Sequence, residues 1–123
     1  IEGIVGDLGY VEGAVNILNR EPGAPADSRC IDDLPDWIAL EVPALIDKDG
    51  LKGQKINMPK DFCSLLRNYV GVYDLTAEAI LTGKKEFVVK ALLANPVVNS
   101  SEKLNELVDQ MIETQSPWLD YLK

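Results

Sequence analysis

Few residues in this chain have side chains suited to chemistry. Histidine is absent, which removes the commonest general base and the commonest metal ligand together. Neither a Ser-His-Asp nor a Cys-His arrangement can be assembled from what remains. Cys30 and Cys63 lie far apart in sequence and form no CxxC pair. Reduced, buried thiols are the expectation, as in a cytoplasmic protein. Carboxylates come in two close pairs, Asp32 with Asp33 and Asp47 with Asp49. Two neighbouring carboxylates are what acid-base cleavage of a glycoside ordinarily uses. Both pairs, however, sit beside Pro or Gly, in Asp32-Asp33-Leu34-Pro35-Asp36 and Asp47-Lys48-Asp49-Gly50. Asp is favoured in such stretches because its side chain bonds the backbone of the turn, so both are read as turns. A calcium loop at 47–50 fails because the bidentate Glu expected further on is missing. Gly3, Gly6 and Gly9 do not keep the GxGxxG spacing and no helix is expected after them, so they are read as backbone turns in preference to a dinucleotide-binding loop. Trp37 and Trp118 have the type for sugar stacking or an interface, although partial burial is the commoner fate. No catalytic, cofactor-binding or metal-ligating residue is assigned.

The elements that would position these groups change character midway. Val11 to Ile17 reads as a strand, weakened by Gly13. Residues 20–28 hold two prolines and a glycine, which makes a loop. Trp37 to Val42 reads as a second short strand, with Pro43 expected to end its pairing because it has no amide donor. From Pro59 onward the apolar spacing is helical: Phe62, Leu65, Leu66, Tyr69 and Val70 share one face. Pro59 suits the first turn. The helix is expected to continue through Leu75, Ala79 and Ile80, past a bend at Gly71, and to stop at Gly83, a residue that accepts a left-handed cap. A second helix is predicted over 84–93, ended by Asn95-Pro96. A third should start near Ser100 or Ser101 as N-cap, with Leu104, Leu107, Val108, Met111 and Ile112 as its buried stripe. Ser116-Pro117 should break it, leaving Trp118 to Leu122 as an apolar tail that docks on the rest. Strands first and helices later predict an α+β fold, a small mixed or antiparallel sheet covered by three to four helices. One domain over 1–123 is expected, with strands and loops over 1–57 and helices over 58–123.

Composition narrows the partners. Twenty acidic against 12 basic residues give a net charge of −8, so a phosphate backbone is repelled and nucleic acid is not expected. No apolar run is long enough for a membrane span. The start, Ile1-Glu2-Gly3-Ile4, has neither an initiator Met nor a basic stretch leading into an apolar one. No secretory signal is expected there, and sequence upstream of Ile1 is.

The segment Leu40-Glu41-Val42-Pro43-Ala44-Leu45-Ile46-Asp47, followed by Gly50, resembles the V-E-V-P-A-L-V-D strand of family 4 glycoside hydrolases. Asn16-Ile17-Leu18-Asn19 and Ile31-Asp32-Asp33-Leu34-Pro35 are similar to that family's N-V-P-N and I-x-N-L-P pieces. The first proline is replaced here by Leu18, and the Pro-rich residues 21–30 are an insertion. Leu75-Thr76-Ala77-Glu78-Ala79 with Thr82-Gly83, and Ala91-Leu92-Leu93-Ala94-Asn95-Pro96, resemble the L-T-x-E-A-A-L-T-G and A-L-L-x-D-P stretches downstream. The likeness runs in order from about residue 11 to the end.

The resemblance implies a C-terminal domain of the lactate dehydrogenase and family 4 glycosidase superfamily. It implies an enzyme that oxidises the sugar at C3 with NAD, eliminates across C2, and adds water, an exception to the two-carboxylate scheme. A divalent metal, typically manganese, acts there as a Lewis acid. The ligands for NAD and metal, and the proton-abstracting residue, lie upstream in the family, so a missing N-terminal NAD-binding part is an expected partner. Pocket wall and homo-oligomer contacts are what remain for this chain, which alone is expected to be inactive. Carried over residue by residue, Asn16, Asn19 and Arg20 are the substrate-binding candidates, with hydrogen bonding inside a strand-to-loop corner as the other reading. The rival to the whole scheme is a stand-alone acidic α+β interaction or oligomerisation module without catalysis.

Overall fold

The computed structural model describes residues 9–123. Gly3 and Gly6 lie outside the described residues. The chain divides into two compact units, Ile1–Cys63 and Ser64–Lys123.

The first unit is built on a three-stranded antiparallel sheet in the order β1-β2-β3, with β1 at Tyr10–Leu18, β2 at Ala39–Asp47 and β3 at Gly50–Gly53. Val42 and Ala44 of the central strand are buried while Glu41 is exposed, the period of two expected of a strand with one covered face. A tight turn at Lys48-Asp49 joins β2 to β3, and Gly50 takes a φ of 112° that disfavours other residues. The Asp47 side chain accepts from the Asp49 amide at 2.9 Å, which is the turn bonding its sequence predicted.

The second strand departs from expectation at both ends. It begins at Ala39, not Trp37, and Trp37 is exposed. Pairing does not end at Pro43 but runs on to Asp47. The reason is the edge on which the proline falls. The Pro43 carbonyl accepts from the Gln54 amide at 2.8 Å, on the β3 side, and the N–H and C=O of one strand residue point to the same edge. The missing amide therefore takes nothing from the ladder with β1. Opposite it β1 carries a bulge: Glu12 faces Ala44 and Val15 faces Val42, so Gly13 and Ala14 together oppose Pro43.

The remaining elements are helical. Helix α1 spans Lys60–Thr82 without a break at Gly71, and Pro59 stands just before it, its carbonyl accepting from the Cys63 amide at 3.0 Å. Gly83, with φ of 68°, ends the helix as expected. Helix α2 spans Lys85–Ala94, α3 Leu104–Thr114 and α4 Ser116–Leu119. The third helix starts later than the serines suggested. The Ser100 hydroxyl accepts from the Glu102 amide within a turn, and Lys103 holds a left-handed φ of 78° directly ahead of Leu104. Leu104 and Val108 are buried, but Leu107 and Met111 face water, so the covered stripe is narrower than the spacing implied. Helix α3 ends at Thr114, just ahead of Ser116-Pro117 as expected, and these residues then open the short α4, Pro117 falling where a missing amide costs nothing. The tail docks through Leu122, which is buried, while Trp118 is exposed. Its backbone is fixed by Lys123 donating to the Gly83 carbonyl at 2.7 Å and accepting from the Lys85 amide at 2.9 Å.

The corner after the first strand as candidate functional site

The three candidate residues lie at the end of β1 and in the corner that follows. Asn16 faces Glu41 in the ladder and its side chain is exposed. Asn19 is fully buried. Its Nδ2 donates to the carbonyls of Ile31 and Leu34, each at 2.9 Å, and of Pro35 at 3.2 Å. Its Oδ1 accepts from the Ile31 amide at 2.8 Å. The Asn19 backbone adds an amide bond to the Ile38 carbonyl at 2.8 Å and accepts from Cys30 at 2.9 Å. One carboxamide thus closes residues 19–38 into a fixed loop, and its hydrogen-bonding capacity is used doing so.

Arg20 comes next. Its guanidinium donates to the Ala24 carbonyl at 2.6 Å and to the Asp36 carboxylate, which also accepts from Arg29. Hydrogen bonds from Arg20 and Arg29 hold the Asp36 carboxyl down to about 2, because both favour its charged form. The same contact with Asp36 raises Arg20 above its ordinary value. The Arg20 Nε is buried without a partner.

Asn19 and Arg20 share the lining of a cavity of about 230 Å³ with Ile17, Ser28, Cys30 and Lys52. Asn16 is not in that lining. Cys30 is a free thiol, and burial pushes it above its usual range. Gly53 closes the floor: a Cβ there would stand 2.1 Å from Ile17 Cδ1 and 2.5 Å from Cys30 Sγ. Asp36 and Arg29 complete the corner and were not singled out from sequence. Asp36 lies sixteen positions from Arg20, and no local spacing announces such a pair.

Each of the two carboxylate pairs meets a lysine. Asp32 pairs with Lys55 at 2.9 Å, and Asp47 and Asp49 share Lys52 at 3.1 and 3.4 Å. Among the described residues no three His, Cys, Asp or Glu side chains are placed to hold a metal ion, and no helix is long and apolar enough to cross a membrane.

Comparison with known proteins places this geometry. An alpha-glucosidase of Erwinia rhapontici is 46% identical over 123 residues, which is 100% of this chain and 25% of that protein. The fold matches a 6-phospho-beta glucosidase of Thermotoga maritima, solved with manganese, NAD+ and glucose-6-phosphate, at a TM-score of 0.70 and 25% identity over 98% of this chain and 29% of the other. A 6-phospho-alpha-glucosidase from gut microorganisms, in complex with NAD and glucose-6-phosphate, shares the fold at a TM-score of 0.73 and 21% identity, covering 99% of this chain and 25% of that one. The chain therefore spans about a quarter of the length of the relatives it matches. Residues 1–98 match the family 4 glycosyl hydrolase C-terminal domain, and the chain belongs to that family.

Proposed function

We propose that this chain is the C-terminal segment of an NAD- and divalent-metal-dependent glycosidase acting on a glucoside or its 6-phosphate, and that it supplies a wall of the sugar pocket and part of an oligomer contact. The observation that carries the reading is the 46% identity to an alpha-glucosidase along the whole chain, within a family-wide match. NAD and manganese, held by a Thermotoga relative together with glucose-6-phosphate, supply the hydride acceptor and the Lewis acid. Among the described residues no three His, Cys, Asp or Glu are placed to hold a metal ion, and the reading assigns both groups to a segment upstream. A cytoplasmic setting agrees with two free thiols.

Within this chain Asn16 and Arg20 are the groups that reach sugar hydroxyls, and Asn19 positions them by fixing the corner. Asp36 neutralises Arg20 and holds its guanidinium in place, which suits orientation of a neutral hydroxyl. The test is expression of the full reading frame that contains this chain, assayed on aryl α-glucosides and their 6-phosphates. Hydrolysis that needs both NAD and a divalent metal is expected. Turnover that survives chelation and removal of NAD, or a reading frame that opens near Ile1, would overturn the proposal.

A further inference from the structure

Arg20 carries one hydrogen-bond donor more than its neighbours answer. A carboxylate facing a guanidinium often makes two parallel bonds, one oxygen on Nε and the other on a terminal nitrogen. Asp36 supplies only half of that pattern. Its Oδ2 accepts from Arg20 Nη2, but its Oδ1 accepts from Arg29 Nε. Arg20 Nη1 is taken by the Ala24 carbonyl at 2.6 Å. The Arg20 Nε that the second oxygen would have met is buried with no acceptor, alone in this among the buried side-chain nitrogens and oxygens of the described residues. Arg29, by holding Oδ1, keeps a charged donor free. Buried donors without a partner are rare in folded proteins, and a group that brings the missing acceptor removes their cost.

The same residue lines the cavity of about 230 Å³, whose walls include Ile17, Leu18 and Ala24 and whose mouth holds the exposed Glu21 and Lys52. That volume is below the ~300–1,000 Å³ of sites for drug-sized ligands and suits one small ring. Charge argues against an ion. The Arg20 cation is met by Asp36 and that of Lys52 by Asp47 and Asp49, while Glu21 at the mouth repels an anion. A cation would be set against Arg20 and Lys52 themselves. Burial raises the Cys30 thiol in the wall, which keeps it neutral. We propose that this cavity binds a small neutral molecule with an apolar body and one hydroxyl or carbonyl oxygen, which accepts from Arg20 Nε, and that Arg29 keeps that donor available. Such a molecule has two sources: the leaving half of a glycoside, for which the site rests on the proposed function, or a free alcohol that binds in its own right.

The experiment titrates the full-length protein that contains this chain with cyclohexanol, followed by ligand-observed NMR. Cyclohexanecarboxylate and cyclohexylammonium are the charged comparisons. Saturable binding of the alcohol is expected, with both ions weaker by about tenfold or more, since neither charge would find a partner. Ala24→Leu fills the cavity, and Arg29→Ala lets Asp36 close on Arg20 Nε. Each should weaken the alcohol by about tenfold, in protein whose thermal unfolding shows it folded. No saturable binding, equal binding in both variants, or tighter binding of either ion overturns the proposal. Reaction of Cys30 with methyl methanethiosulfonate, resolved by peptide mass spectrometry, reads occupancy without a substitution; a rate unchanged by saturating cyclohexanol overturns it as well. Competitive inhibition of glycoside hydrolysis by the alcohol identifies the leaving half of the substrate as the ligand, and binding without competition identifies a free alcohol. Binding in a protein with no NAD-dependent turnover counts against the proposed function and leaves the site standing.

Discussion

Replacing Asn19 by alanine leaves a set of buried polar groups with no partner, and the cost can be worked from the contacts. Nδ2 carries two hydrogens, so of the carbonyls of Ile31, Leu34 and Pro35 at 2.9, 2.9 and 3.2 Å, two are bonded at full strength. Oδ1 adds the Ile31 amide at 2.8 Å. Three effective bonds contribute about 1 kcal/mol each, and a buried group left unsatisfied costs about 1–3 kcal/mol where water cannot reach it. The expected loss for Asn19→Ala is therefore about 3–5 kcal/mol, a large share of the ~5–15 kcal/mol that holds a typical domain folded. Asn19→Asp keeps the acceptor for Ile31 but turns oxygen lone pairs toward three carbonyls, and it should be no milder. Urea unfolding of the chain, followed by tryptophan fluorescence with Trp37 in the same loop, measures the change. Asn16→Ala is the control, since an exposed substitution stays within about 0.5 kcal/mol. A shift below about 1 kcal/mol for Asn19→Ala, or one equal to that of Asn16→Ala, would refute the account of the corner as held by one side chain.

Other consequences can be checked in the same way. Gly53→Ala forces a methyl into Ile17 and Cys30; it should destabilise by about 1–3 kcal/mol, and adding Ile17→Val, which removes the clashing Cδ1, should recover part of that in paired denaturation curves. Asp36 is lowered to about 2 in the folded chain, so its contribution is complete above the ordinary carboxylate value near 4 and is lost as pH falls toward 2. Between those limits the unfolded chain binds more protons and stability rises with pH; Asp36→Asn should flatten that rise, and an unchanged slope would remove Asp36 as its source. Gly83→Ala places a side chain at φ of 68° and 3.0 Å from the Tyr121 carbonyl. A loss of about 1 kcal/mol or more is expected from thermal unfolding.

What the sequence disclosed and what it hid follow from range. Turns were legible because their chemistry is local: Asp47 bonds the Asp49 amide two residues on, and Asn95-Pro96 ends α2 through a clash between neighbours. The α+β order was legible from the change of apolar period at Pro59. Helix faces were legible only as periodicity. Spacing shows that Leu104, Leu107, Val108 and Met111 share one side of α3, but not that cover reaches only Leu104 and Val108. The roles of Asn16, Asn19 and Arg20 lay beyond reach for the same reason. A strand-end asparagine looks alike whether its amide meets a sugar or three backbone carbonyls, and Asn19 meets carbonyls twelve to sixteen positions away. Pro43 misled because a proline rule read along one strand cannot tell which edge the missing amide falls on, and here it falls on the side where the Pro43 carbonyl meets Gln54.

The Asn19 corner also answers a question of alignment. Strands joined by a two-residue turn inherit their register from the turn, but β1 and β2 are separated by the whole of residues 19–38, and a connection of that length constrains alignment little. The corner supplies what the connection lacks. Directly beyond the Leu18–Ala39 pair the Asn19 amide donates to the Ile38 carbonyl at 2.8 Å, and the buried Asn19 side chain holds the carbonyls of Ile31 and Leu34. Sliding β1 by two residues would preserve which side chains point inward, yet it would carry Asn19 away from these partners and leave buried polar groups unpaired. Alignment is thus set by a latch at the end of the ladder, and the corner built on Asn19 and Arg20 is delivered to one place by its own bonds.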